Sequence, residues 1–360
     1  MMKYQTDDTR ITGMEEVAAP EALIRDLPVS DQASALVFKS RQEVSEILRG
    51  QDDRLLVVIG PCSIHDPKAA LEYGERLREE TARFREDLKI VMRVYFEKPR
   101  TRIGWKGLVN DPHLDGSFGI NEGLRIARKL LSDLLAMGVS TGTEYLDPIS
   151  PQYFGDLVCW GAIGARTVES QVHRQLASGL SCPIGFKNST LGSIKVAVDA
   201  VAATRSSHIF LSVTKQGRSA IFSTAGNREC HVILRGGRDG PNYDNASVRL
   251  SADLLEQADL PPRVMIDLSH ANSDKQFKRQ LEVRAAVEDQ LRAGEPGIMG
   301  VMIESNLVEG RQDLNNGRDL VYGQSVTDGC IGWEDSVECL ERLAESVRAR
   351  RAASGSGSRR

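Results

Sequence analysis

Several features are scarce or missing in this 360-residue sequence, and each absence excludes something. No run of about 18 apolar residues occurs, so no membrane-spanning helix is expected. The opening stretch MMKYQTDDTRITG is polar and lacks the apolar centre of a secretory signal. The six cysteines (Cys62, Cys159, Cys182, Cys230, Cys330 and Cys339) are scattered, with no C-x-x-C pair. A disulfide framework is therefore not expected, and a reducing, cytoplasmic setting is. There is no excess of positive charge: 46 basic residues face 50 acidic ones, for a net charge of -4. A general nucleic-acid binder would be basic. A local basic pocket for a small anion stays open. Also absent are G-x-G-x-x-G, the Walker A sequence, H-E-x-x-H and G-x-S-x-G. Nucleotide binding through those loops, zincin proteolysis and α/β-hydrolase chemistry thereby lose support.

What is present is an ordinary globular composition, 41% apolar with 32 glycines. The length suits two domains of ~150 residues, or one barrel of ~250 with a surplus. Short apolar runs punctuate the chain. Leu55–Ile59, Ile90–Val94, His208–Val213, Val232–Leu234, Val264–Ile266 and Met299–Ile303 are the clearest, and Val139–Thr143, Cys159–Ile163 and Pro183–Phe186 are weaker. Such runs suit strands buried on both faces of a parallel sheet. Helix-like segments lie between them, at Pro67–Arg85, Asn121–Met137, Pro151–Leu157, Thr167–Ala177, Leu191–Ala203, Ser247–Ala258, Asp274–Ala293 and Glu334–Arg351. About eight strand–helix alternations favour an α/β fold closed as a TIM (β/α)8 barrel. Two regions depart from the alternation. Residues 1–50 precede the first strand and carry a helix-like stretch Asp31–Leu48, with Ser30 as its N-cap and Gly50 after it. Residues 214–226 have no helical pattern and read as an inserted β-ribbon, a β-hairpin within the barrel domain at 51–353. The end, residues 354–360 (SGSGSRR), reads as a flexible tail.

Active sites of such barrels lie at the C-terminal ends of the strands. The first reactive residues after each strand are Cys62, Arg93 with Lys98, Glu144, Arg166, Lys187, Arg235, His270 and Glu304, with Asp328 further on. Arg93, Lys98, Arg166, Lys187 and Arg235 are cations that would repel one another at one mouth unless an anion such as phosphate or carboxylate sat among them. Lys98-Pro99-Arg100-Thr101 reads either as an anion-binding loop or as a solvated basic loop. The Arg235-Gly236-Gly237 turn reads as a close approach of backbone to ligand, or as a plain turn. Cys62, His270, Glu304 and Asp328 together have the chemistry of a divalent-metal site. Their sequence separations are long, and a buried thiol and a structural histidine are the plain alternatives.

The segments VVIGPCSIHDP (57–67), MRVYFEKPRT (92–101), GWKGLVNDP (104–112), WGAIGART (160–167), GFKN (185–188), ILRGG (233–237), MIDLSHANS (265–273) and IMGVMIESNLVEG (298–310) resemble the type I 3-deoxy-D-arabino-heptulosonate 7-phosphate (DAHP) synthases, in the branch regulated by aromatic amino acids. The resemblance spans residues 3–351. It implies a TIM barrel with an N-terminal extension and an inserted hairpin. It also implies condensation of phosphoenolpyruvate with erythrose 4-phosphate, the first step toward chorismate. It places one divalent metal ion (Mn, Fe, Co or Zn) on Cys62, His270, Glu304 and Asp328. Phosphoenolpyruvate falls on Arg93, Lys98, Arg166, Lys187 and Arg235, erythrose 4-phosphate on the loop with Arg100 and Thr101, and Glu144 is counted among the substrate-binding residues. Lys98 becomes the proton donor to the aldehyde oxygen, with Cys62 and His270 counted among the catalytic residues. His173 or a water at the metal are the candidates to assist the attacking water.

The same resemblance places an aromatic-amino-acid effector on Asp7, Asp8, Pro151, Gln152, Leu180, Ser181, Phe210, Ser212 and Phe222. FLSVTKQGRSAI (210–221) is most similar to phenylalanine-sensitive members. Ordinary packing of an insertion is the alternative there. A homodimer or homotetramer is expected, with neither nucleic acid nor membrane as partner. Rival functions are the related 3-deoxy-octulosonate 8-phosphate synthase, a Schiff-base aldolase using Lys187, and a non-catalytic paralogue that senses aromatic amino acids.

Overall fold

The computed structural model describes Tyr4, residues 6–100, 104–314, Gly317 and 319–356, with side chains as far as Ala353. Eight parallel strands form a closed barrel: β1 (Leu55–Gly60), β2 (Leu88–Arg93), β3 (Thr141–Glu144), β4 (Trp160–Ile163), β5 (Ile184–Lys187), β8 (Cys230–Leu234), β9 (Val264–Asp267) and β10 (Ile298–Glu304). Every residue of these strands is buried, which explains their near-continuous apolar character. The expected TIM barrel is the fold found.

Outer helices follow the strands: α3 (Pro67–Arg83), α4 (Ile120–Ala136), α5 (Pro151–Phe154), α6 (Gln171–Gly179), α7 (Ile194–Thr204), α8 (Asn245–Gln257), α9 (Gln280–Arg292) and α10 (Trp333–Ser356). Gly138, at φ 87°, stops the chain just beyond α4. Helix α10 continues to Ser356, so it runs into the segment expected to be a tail. Helix α9 starts at Gln280, not at Asp274. Asp274 and Lys275 have φ of 50° and 58°, which no right-handed helix accommodates.

Before the barrel come α1 (Pro20–Asp26) and α2 (Asp31–Arg49). Ser30 Oγ accepts a hydrogen bond from Ala33 N at 3.2 Å, and Gly50 closes α2 at φ 73°. Val44, Ile47 and Leu48 of α2 join Leu56, Val58, Val91, Trp160, Ile233, Met265, Met299 and Met302 in one buried cluster. The helix thus packs into the barrel's inner apolar filling. There Trp160 Nε1 donates to His231 Nε2 at 3.0 Å. Burial pushes His231 down to about 4, so it is neutral and carries its proton on Nδ1.

The inserted ribbon is displaced from its expected place. Its strands are β6 (Ile209–Val213) and β7 (Ser219–Ser223), paired antiparallel, so the run at 208–213 belongs to the hairpin and not to the barrel. Its apolar residues misled the reading because one face stays uncovered: Ile209, Leu211 and Ile221 are 71%, 83% and 72% exposed. A last, two-stranded parallel pair, β11 (Val308–Arg311) and β12 (Gln324–Ser325), comes between β10 and α10 in the chain.

Candidate active site

A cavity of about 370 Å³ opens among the residues that follow the strands. Arg93, Lys98, Arg100, Glu144, Arg166, Lys187, Arg235, His270 and Asp328, all expected site residues, line it. Cys62 and Glu304 lie fully buried beside it. Thr101, the remaining expected substrate residue, lies outside the described residues. The lining also holds Tyr95, Glu97, Thr190 and Lys275, which the sequence reading did not select.

The strand ends position these groups by mutual pairing. Buried Arg93, at the end of β2, places Nη2 3.3 Å from Glu304 Oε1 and stacks its guanidinium 3.9 Å above the Tyr95 ring. Its Nη1 is buried with no protein partner. Lys187, ending β5, places Nζ 3.0 Å from Asp267 Oδ2, and His270 places Nδ1 2.8 Å from that same oxygen. Asp267 is therefore shared between a cavity-lining lysine and a metal-ligand candidate. It is fully buried, and burial opposes its charge, but His270 and Lys187 hold its carboxyl well below the ordinary range. Sequence reasoning missed Asp267 because it is the last residue of β9 and precedes the first residue taken as reactive. Arg166 and Arg235 are close enough to repel one another. Burial, opposed by Asp267 and reinforced by Arg166, lowers Arg235. Two arginines held together in this way make an anion site.

The thiol and carboxylates converge as metal ligands do. Ligand atoms of Cys62, Glu304 and Asp328 all lie within 4.8 Å of one another. His270 is not in that set: its Nδ1 faces Asp267 Oδ2 at 2.8 Å without hydrogen-bond geometry, and its Nε2 lies 3.8 Å from Glu304 Oε1. Donors at this spacing suit an ion with bonds of ~2.0–2.3 Å, and S, N and O donors suit a borderline transition ion. Lys98 Nζ already marks a cation position here, 2.8 Å from Cys62 Sγ and 3.2 Å from Asp328 Oδ2. Burial, then Glu304, pushes the Cys62 thiol up to about 11, with Lys98 opposing. Burial resists ionisation of Glu304 and Asp328, yet His270 and Lys98 hold both below the ordinary carboxylate range. Ser269 Oγ donates to Glu304 Oε2 at 2.8 Å and fixes the carboxylate's plane.

His173 has both ring nitrogens engaged, by Ser170 Oγ at 2.9 Å and Leu146 O at 2.8 Å, and it does not line the cavity. Gly236 and Gly237 pack closely against neighbouring backbone. A side chain on Gly236 would meet Ala271 and Asn272 backbone at 2.8 Å, and one on Gly237 would meet Gly192 at 2.2 Å. Both glycines let neighbouring loops pack. The nine effector residues fall on the N-terminal segment, around α5, after α6 and on the hairpin, and Ser178 Oγ meets Thr224 Oγ1 at 2.7 Å where the end of α6 reaches the hairpin base. Leu180 and Ser181 line a surface depression with Phe38 and Arg41 that includes none of the other seven. Phe210 and Phe222 pair on the hairpin with ring centroids 6.2 Å apart, and Ser212 pairs with Ala220 beside them. Lys215, in the hairpin turn, bonds to the carbonyl of Gln152, next to buried Pro151. Asp7 and Asp8 are exposed.

Comparison with known proteins agrees with this geometry. The family model described as "DAHP synthetase I family" matches residues 26–341. The chain is 58% identical over 350 residues to a Phe-sensitive phospho-2-dehydro-3-deoxyheptonate aldolase of Escherichia coli, covering 97% of this chain and 100% of the relative. It is 52% identical over 343 residues to a Trp-sensitive counterpart from Enterobacter agglomerans, covering 95% and 98%. A solved phospho-2-dehydro-3-deoxyheptonate aldolase from Francisella tularensis superimposes with a TM-score of 0.93 at 55% identity, over 94% of this chain and 99% of that one. With a matching barrel, a matching family model and relatives matched along nearly their whole length, this chain belongs to the DAHP synthetase I family.

Proposed function

We propose that the protein is a DAHP synthase, converting phosphoenolpyruvate, D-erythrose 4-phosphate and water into DAHP and phosphate at the start of the shikimate pathway. The observation that carries this is the joining of two chemistries in one cavity, a nest of cations and a thiol–carboxylate cluster with His270 beside Glu304, bridged by Lys98. Phosphoenolpyruvate carries phosphate and carboxylate charge, which Arg93, Lys98, Arg166, Lys187 and Arg235 neutralise and orient, with Glu144 beside them. Arg100 and Thr101 receive the sugar phosphate. C3 of phosphoenolpyruvate attacks the aldehyde carbon while Lys98 Nζ donates a proton to the aldehyde oxygen. Water adds at C2, and C–O cleavage releases phosphate. Cys62, His270, Glu304 and Asp328 would hold a divalent ion of the Mn, Fe, Co or Zn class, which when bound would supply Lewis acidity.

The same reading makes residues 1–50 an extension serving assembly and regulation, and residues 51–353 the catalytic barrel. The uncovered apolar face of the hairpin supports a homodimer or homotetramer. Among the described residues no helix is long and apolar enough to cross a membrane, and we place the enzyme in the cytoplasm. Feedback inhibition by an aromatic amino acid, phenylalanine first, is proposed on the Phe-sensitive relative and the hairpin sequence. A sensor paralogue is less well supported, because a sensor has no need of the intact cation and ligand sets.

The test mixes pure protein, Mn²⁺, phosphoenolpyruvate and erythrose 4-phosphate and follows phosphate release, with and without EDTA. The expected result is release that chelation abolishes. Release that survives chelation contradicts the metal role, and no release favours the sensor. Repeating the assay with saturating phenylalanine, tyrosine or tryptophan identifies the effector, and indifference to phenylalanine defeats that assignment.

A further inference from the structure

The loop from His270 to Lys275 joins the metal-ligand candidate to the approach to α9, and it bends against the preference of its residues. His270, Asp274 and Lys275 have φ of 57°, 50° and 58°, and none is glycine. Left-handed backbone is unfavourable for side-chain-bearing residues. Aspartate tolerates it better than most, whereas lysine has no special accommodation. Such strain persists only where the surroundings enforce it. Here Lys275 N–H donates to His270 O at 2.7 Å, and the Asp274 carboxylate pairs with Arg279. The result of this bending is that Lys275 lines the cavity.

Its ammonium differs from those of the other cavity lysines. Lys98 is paired with Asp328 and Lys187 with Asp267. Among the described residues no carboxylate lies within ion-pairing distance of Lys275, which is exposed. Its charge nonetheless reaches Asp328 and helps to keep that carboxyl ionised. The buried cations Arg93, Lys187 and Arg235 occupy the inner part of the cavity, and Arg166 stands close to Arg235. A sugar whose aldehyde reacts beside the metal cluster and Lys98 must carry its phosphate outward, toward the exposed cations.

We propose that Lys275 is a binding residue for the phosphate of the four-carbon sugar substrate, a second cation beside Arg100 at the outer end of the cavity. This rests on the DAHP synthase reading. It accounts for why a strained lysine is kept where an unstrained glycine would fit the backbone.

Initial rates with each substrate varied in turn test it, using K275M, K275R and K275G. In K275M and K275G the KM for erythrose 4-phosphate should rise about tenfold, the loss expected for one charge-assisted contact. The KM for phosphoenolpyruvate and the bound metal per protomer should stay at wild-type values, and K275R should recover most of the loss. K275G should melt no lower than wild type, because glycine relieves the positive φ, so the affinity loss will not be a folding defect. An unchanged erythrose 4-phosphate KM in K275M overturns the proposal. So does an equal rise in the phosphoenolpyruvate KM, or a loss of metal that would make Lys275 merely a support for Asp328. Wild-type protein that releases no phosphate overturns the parent reading itself, a different result from any of these.

Discussion

The two ends of the barrel bury ionisable groups equally well and treat them in opposite ways. Toward α2, His231 sits among Trp160 and methionines, and burial with no compensating charge leaves it neutral. At the mouth, Asp267 and Glu304 are just as buried, yet both stay ionised. The difference is in the partners. Asp267 has Lys187 and His270, and Glu304 has Arg93. Burial magnifies whatever interactions a group has and does not by itself decide its charge. The inner packing is therefore a stability device, and the mouth is a charge device held together by its own contacts.

The sharpest way to break this contrast is Glu304→Gln. It removes a ligand candidate and leaves Arg93 as an unpaired buried charge, so kcat/KM should fall by about 1,000-fold, more than the ~10–100-fold typical of an outer-shell partner. Stability should fall by about 3–5 kcal/mol. Denaturant melts and steady-state rates read the two effects. Trp160→Ala at the other end should also cost about 3–5 kcal/mol in a denaturant melt, but kcat per folded molecule should change far less. Asp267→Asn should keep the fold and lower metal affinity and kcat/KM by about 10–100-fold, because both Lys187 and His270 lose their brace.

The smallest effect concerns pH. Glu97 lines the cavity, and burial, with Asp147 nearby, pushes its carboxyl up from 4.5 to about 8. The native state then holds a proton that the unfolded chain releases near its ordinary value. The associated stability is fully present below about pH 4 and is lost progressively as pH rises to about 8. Melting temperature measured across this window should fall less steeply in Glu97→Gln than in wild type.

These contrasts also explain what the sequence disclosed. Arg93, Lys187 and Arg235 were legible because apolar strands ended on or just before charged residues. The barrel was legible because eight strands buried on both faces leave apolar runs. Asp267 was hidden, since a carboxylate inside a strand resembles a boundary, and its brace depends on residues 80 positions earlier and three later. Lys275 was hidden by a helical pattern that the backbone interrupts with two left-handed residues. The hairpin was misplaced because Ile209 and Leu211 have the composition of a core strand, while their exposure depends on what covers them. Periodicity records which residues are apolar and says nothing of which surface they meet.

The central claim is that the buried charges at the mouth form a metal site sustained by specific partners. Isothermal titration of chelator-treated protein with Mn²⁺, comparing wild type with Cys62→Ala, tests it most directly. The account predicts one ion per protomer for wild type and loss of that binding in the variant, with the melting temperature changed little. Wild type that binds no ion, or a variant that binds as wild type does, would contradict it.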